Sequence, residues 1–192
     1  MLDLSPATEV LASLVEGVRD DQLTGPTPCE GTSLGAMLDH VNGFAVAFAA
    51  AATKTPLPGG SQGPSADASR LGDDWRTRIP MRLAALAAAW QDPAAWTGMT
   101  QAGGVHLPGD AAAVVALDEV VVHGWDVAVA SRQPFTCDPD LLEAVYGFVR
   151  SSAEENPDGT PGLFGPPVPV PDDAPLLDRV IGLAGRDPAW RP

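Results

Sequence analysis

Basic residues are scarce in this chain. Eleven lysines and arginines, of which Lys54 is the single lysine, face 25 aspartates and glutamates over 192 residues, a formal charge of -14. That balance excludes nucleic acid and anionic membrane as partners, because both demand a basic surface. Cysteine is nearly as rare: Cys29 and Cys137 are too few for a disulfide framework and show no CxxC spacing, which points to a reduced, cytoplasmic setting. Long apolar runs are also missing. The longest, Phe44 to Ala52, is mostly alanine and falls far short of the ~20 residues a membrane span needs. The opening Met-Leu-Asp-Leu-Ser-Pro has no basic region ahead of an apolar stretch, so no export signal is expected. A Walker loop, a dinucleotide-binding glycine fingerprint and a GxSxG elbow are all absent, which removes P-loop hydrolysis, dinucleotide redox chemistry and α/β-hydrolase chemistry.

What is present reads as helix. A hydrophobic content of 45% supports one continuous core, and the length fits a single domain. Ser5-Pro6 reads as an N-cap and first-turn proline ahead of Val10, Leu11, Leu14, Val15 and Val18 at helical period. After the turn-rich Gly25-Pro-Thr-Pro-Cys-Glu-Gly31, Thr32 or Ser33 caps a second helix whose stripe is Leu34, Met37, Leu38, Val41, Phe44, Ala45 and Phe48. A Pro-, Gly- and Ser-rich loop is expected over 55–65, then a helix over 66–91 kinked or split at Pro80. A loop over 92–109 carries His106 and leads to Asp110, the expected cap of a helix over 111–131. Asp138-Pro139 caps another helix, reaching about Ala153. Phe164-Gly-Pro-Pro-Val-Pro-Val-Pro171 can be neither helix nor central strand and should wrap as extended chain before a short last helix ending at Gly185. No convincing alternating strand is visible. The reading is all-α: an antiparallel four-helix bundle over 1–155 with a C-terminal extension, 156–192, packed on it.

The chemistry concentrates in Glu119-Val-Val-Val-His123-Gly-Trp-Asp126. At a spacing of four residues on a helix, Glu119 and His123 project the same way one turn apart. Zinc accepts His nitrogen and carboxylate oxygen as ligands, and such a pair supplies two of them. The chain has three histidines, and His40 lies on the flank of the second helix's apolar stripe, where it can reach a bundle interior. The expected metal site is therefore His40, Glu119 and His123. Asp126 is a candidate for orienting a ligand histidine from behind, though it can equally cap a helix or pair with an arginine. Cys29, in a Pro-Thr-Pro-Cys turn without a visible base, reads as a small buried residue. His106 reads as a surface or rim histidine, and the five tryptophans as core anchors.

Three stretches resemble the DinB-like superfamily, and more closely its mostly actinobacterial branch related to mycothiol-dependent maleylpyruvate isomerases. They are Pro26-Thr-Pro-Cys-Glu-Gly with Met37-Leu-Asp-His40-Val, then Glu119-Val-Val-Val-His-Gly-Trp-Asp126, then Leu183-Ala-Gly-Arg-Asp-Pro-Ala-Trp190. The resemblance implies a DinB-like bundle and a divalent metal, zinc or nickel, on His40, Glu119 and His123. It further implies mycothiol as cosubstrate, a small electrophile as its acceptor, and a metal-dependent transferase or isomerase. A non-catalytic metal-binding or stress-response module of the same fold uses the same three residues and stays open, as does a homodimer. Thr32 stands where the family commonly has tryptophan, which should change packing or open space at the start of the second helix.

Overall fold

The computed structural model describes residues 1–57 and 66–192. Among the described residues six α-helices follow in order: α1 (Ser5–Gly17), α2 (Leu34–Thr53), α3 (Trp75–Ala89), α4 (Gly109–Ser131), α5 (Pro139–Glu155) and α6 (Leu176–Leu183). Short 3-10 turns lie at Asp20–Gln22, Ala68–Arg70 and Pro93–Trp96. The molecule is mostly helical. Helices α1 and α2 each pack against α3 and α4, while α5 packs on α4 and on α6.

Burial explains this arrangement. The predicted stripe of α2, from Leu34 through Phe48, is buried, and α4 is buried on nearly every side, including Ala112, Ala116, Leu117, Val121, Val127 and Ala128. A helix apolar all round belongs at the centre of a core, and α4 indeed meets α1, α2 and α5. By length and composition alone α2 can cross a membrane, but 67% of its apolar window is buried inside the protein. Its apolarity fills the core.

Helix ends follow the sequence in part. Ser33 caps α2 by accepting from the Ala36 N–H at 3.3 Å, and Asp138 caps α5 through the Asp140 and Leu141 N–H groups. Ser5, by contrast, is the first residue of α1 and not its cap. Asp110 lies inside the first turn of α4, after Pro108 at the cap position, where its charge still complements the helix dipole. Helix α3 begins at Trp75 and runs unbroken through Pro80. The single lysine ties two elements together. Lys54 ends α2 in the left-handed conformation, φ 54°, and its Nζ donates to the carbonyls of Ala94 and Thr97 at 2.9 and 2.7 Å.

One element departs from the all-helical reading. The expected loop over 92–109 contains an antiparallel hairpin, β1 (Met99–Ala102) and β2 (Val105–Pro108), with Met99 opposite Pro108 and Ala102 opposite Val105. Gly103 and Gly104 both take positive φ, 56° and 84°, as a two-residue hairpin turn requires. The Gly-Gly pair was the signal, and strands of four residues are too short for alternation to show. Thr100 pins the hairpin to α2 by donating to the Ala51 carbonyl at 2.6 Å. Of the loop read over 55–65, residues 58–65 lie outside the described residues.

The C-terminal segment wraps back onto α6. The Val168 N–H donates to the Gly182 carbonyl at 2.8 Å, and a Cβ on Gly182 would meet the Val170 side chain at 2.4 Å. Gly185, φ 81°, passes so close to Gly165 that a Cβ would lie 2.9 Å from its backbone. This close approach carries Leu163, Phe164 and Arg186 to one pocket, beside the parts of α2 and α4 that hold the histidines.

Candidate metal centre

His40 from α2 and Glu119 and His123 from α4 come together. One donor atom from each lies within 4.8 Å of the others. The Nε2 atoms of both imidazoles face the same carboxylate oxygen, Glu119 Oε2, at 3.1 Å from His40 and 3.3 Å from His123. The helical spacing of Glu119 and His123 accounts for the second contact, and the packing of α2 on α4 for the first. The two imidazoles meet edge to face with centroids 4.8 Å apart, and Phe44 stacks against His123 with centroids 6.2 Å apart. Phe44 thus backs both rings from one turn along α2.

A second layer holds the first. His123 Nδ1 donates to Asp126 Oδ2 at 2.9 Å, which sets its ring and directs Nε2 towards Glu119. Asp126, fully buried, also accepts from Arg186 Nη2 at 3.3 Å, while Arg186 Nη1 donates to the Ala184 carbonyl at 2.6 Å. Both structural roles open to Asp126, orienting a histidine and pairing with an arginine, are therefore met by one oxygen. Arg186 itself carried no spacing signal in the sequence. Only the fold of the C-terminal segment brings it here.

The electrostatics follow from burial and pairing. Burial opposes the charged form of His123, but its bonds to Asp126 and Glu119 outweigh it and push its pKa up to about 10. Burial likewise opposes ionisation of Glu119, and the bonds from His123 and His40 overcome it, leaving the carboxyl well below its ordinary range. Asp126 is lowered too, against burial, chiefly by the Arg186 charge and the His123 bond. Asp118 behaves oppositely: burial and the neighbouring Glu119 charge raise it well above the ordinary carboxylate range, and its Oδ1 has no hydrogen-bond partner among the described residues. A carboxyl raised in the folded state costs stability once the pH exceeds its unfolded value. Asp118→Asn should therefore stabilise the protein near neutral pH, by about 1–3 kcal/mol on the scale of buried unpaired polar groups. The gain should shrink as pH falls towards 4, and urea denaturation at pH 5 and pH 8 checks it; equal gains at both would remove ionisation as the cause.

The triad lies on the wall of a cavity of about 450 Å³, lined also by Cys29, Thr32, Met37, Phe164 and Arg186. Its composition is mixed, apolar from Met37, Leu163 and Phe164, cationic from Arg186 and anionic from Glu30. Cys29, read from sequence as a small buried residue, is only half-buried and faces this cavity. Thr32 faces it as well, so the position where the family commonly places tryptophan is a position on the pocket wall. His106 is exposed on β2 and lines a different cavity, of about 250 Å³, with Lys54 and Met99.

Comparison with known proteins agrees with this architecture. The family model of the mycothiol maleylpyruvate isomerase N-terminal domain matches residues 4–128, a span that includes all three triad residues. Uncharacterized proteins from two strains of Mycobacterium tuberculosis, CDC 1551 / Oshkosh and ATCC 25618 / H37Rv, are each 27% identical over 187 residues, covering 94% of this chain and 93% of theirs. The crystal structure of the mycothiol-dependent maleylpyruvate isomerase superposes with a TM-score of 0.61 at 17% identity, over 80% of this chain and 71% of that one. At that identity the likeness speaks for the fold. The match of the family model over residues 4–128 shows that this chain belongs to the DinB-like family of the mycothiol maleylpyruvate isomerase N-terminal domain.

Proposed function

We propose that this protein is a divalent-metal-dependent transferase or isomerase that activates a low-molecular-weight thiol, mycothiol by family likeness, for addition to a small electrophile. The observation that carries this reading is the donor set itself. Two imidazole nitrogens and a carboxylate converge from two packed helices on the wall of a substrate-sized cavity. Three protein ligands with the remaining positions open is the pattern of catalytic zinc, and nickel accepts the same nitrogen and oxygen donors. The chemistry of the residues fits such an ion: Asp126 holds His123 by Nδ1, the usual support for a ligand that binds through Nε2.

When bound, a divalent cation at His40, Glu119 and His123 would supply the positive charge that keeps a thiol ionised near neutral pH. The chain's own residues do the rest. Asp126 and Phe44 hold His123 in one orientation. Arg186 places a fixed positive charge on the cavity wall, suited to an electrophile with a carboxylate or to an oxygen that gains negative charge as sulfur adds. Met37, Leu163 and Phe164 reduce the water around the reacting sulfur.

Cobalt(II) substitution tests this reading, because its visible absorption reports ligands. Titration with mycothiol or N-acetylcysteine should produce a sulfur-to-metal charge-transfer band. Binding releases a proton, so apparent affinity should rise with pH up to the free thiol's pKa of ~8.5. A cobalt spectrum that no thiol perturbs at millimolar concentration would overturn thiol activation and favour a metal-binding module without turnover.

A further inference from the structure

A further cavity, of about 530 Å³, opens where the C-terminal end of α4 meets α6 and residues 188–192. Its walls include Trp125, Val129, Arg132, Phe135, Leu177 and Arg191, and none of its residues belongs to the cavity of the triad. The volume suits a small organic molecule.

Its charge runs against that of the chain. Acids outnumber bases 25 to 11, yet among the described residues no aspartate or glutamate lines this cavity. Arg19, Arg70, Arg76, Arg78, Arg150 and Arg186 each pair with a carboxylate. Arg132 and Arg191 pair with none among the described residues, and Arg191 donates only to the carbonyls of Pro188 and Trp190. Arg132 ends α4 in the left-handed conformation, φ 60°, a place that glycine usually fills. Lys54 has that conformation at the end of α2, and there its amine holds two carbonyls. The Arg132 guanidinium is left over.

Trp125 adds a donor. It is 5% exposed, and its indole N–H has no hydrogen-bond partner among the described residues. The unpartnered polar atoms that are closed off from solvent are Trp90 Nε1, Asp118 Oδ1, Asp126 Oδ1 and Arg186 Nε. Trp125 Nε1 is not one of them, so a nearly buried donor keeps an opening at the wall of this cavity. Such a donor suits a ligand that brings an acceptor oxygen.

We propose that this cavity is a binding site for a small organic acid, a carboxylate carried on an apolar, ring-sized body. Arg132 and Arg191 supply the positive charge and the forked donors that match a carboxylate. The Trp125 N–H gives a further donor to an oxygen of the ligand, while Val129, Phe135 and Leu177 cover its apolar body. The site does not depend on the metal or on thiol activation.

The experiment titrates the full chain with 2-naphthoate, and with 2-naphthamide as the neutral comparison, in proton–nitrogen correlation spectra. The five tryptophans give separate indole N–H signals, and Trp125→Phe identifies the one from Trp125. Naphthoate at millimolar concentration should shift that signal, and the amide should bind roughly tenfold or more weakly. Arg132→Gln and Arg191→Gln, both at exposed positions that leave the core intact, should each weaken naphthoate roughly tenfold, the loss of one charge-assisted hydrogen bond. Protein stripped of metal with a chelator should bind it equally well. No shift at Trp125, equal affinity for acid and amide, or unchanged affinity in both arginine variants would overturn the proposal. Binding that vanishes with the metal would place the carboxylate on the triad and overturn it too.

Discussion

Asp126→Ala should destabilise the metal-free protein by about 3–5 kcal/mol, the cost of leaving a buried charge without its partner. Asp126 is completely buried, and it is the carboxylate within bonding reach of Arg186, whose side chain is itself nearly buried. Alanine leaves that guanidinium in a low-dielectric site where the Ala184 carbonyl is its remaining acceptor among the described residues. The same substitution frees the His123 ring, so divalent metal should bind ~10–100-fold more weakly, as when other outer supports of ligand histidines are lost. Urea denaturation in the presence of a chelator measures the first effect and competition with a chromophoric chelator the second. Wild-type stability in the variant would mean that Arg186 is not held by Asp126. Asp126→Asn should fall between the two, since it keeps an acceptor for Arg186 but removes the compensating charge.

His123→Ala should cost more metal affinity than loss of Asp126, because it removes a ligand while leaving a good helix former in the middle of α4. Metal content after purification should fall sharply with helicity preserved. Full metal content in the variant would move the site to other residues. The pH dependence separates the proton from the metal. In the metal-free protein His123 is raised to about 10 from an ordinary 6.5, so its contribution is complete below about pH 6.5 and is lost as pH rises towards 10. Glu119 is lowered from 4.5, so its contribution is present above that pH and is lost as pH falls. Metal-free wild type should therefore lose stability between about pH 6.5 and 9, and in His123→Ala that decline should shrink to the part that Asp118 contributes. Metal affinity should run the other way, rising with pH as His123 gives up its proton. A metal-free protein that grows more stable over that interval would contradict the imidazolium–carboxylate pairing described for the triad.

Much of this was legible along the chain, because local physics sets it. Helical periods marked the stripes of α1, α2 and α5, and the four-residue spacing placed Glu119 and His123 on one face of α4. His40 could be singled out because histidine is rare here and its place beside the Met37 to Phe48 stripe faces the interior. Other features depend on groups far apart in sequence. The Asp126–Arg186 pair spans 60 residues, and no periodicity relates one to the other. Cys29 read as part of a turn and Thr32 as a possible helix cap until the C-terminal segment, drawn in by the Gly165–Gly185 approach, closes the cavity around them. The β1–β2 hairpin escaped because four-residue strands carry too little alternation, and its place is decided by Thr100 on the end of α2. Sequence by itself determined which residues share a helix face, since backbone geometry repeats over a few residues. The tertiary structure decided which faces meet, because the burial and pairing of a charge or a thiol depend on neighbours that the chain brings together only on folding.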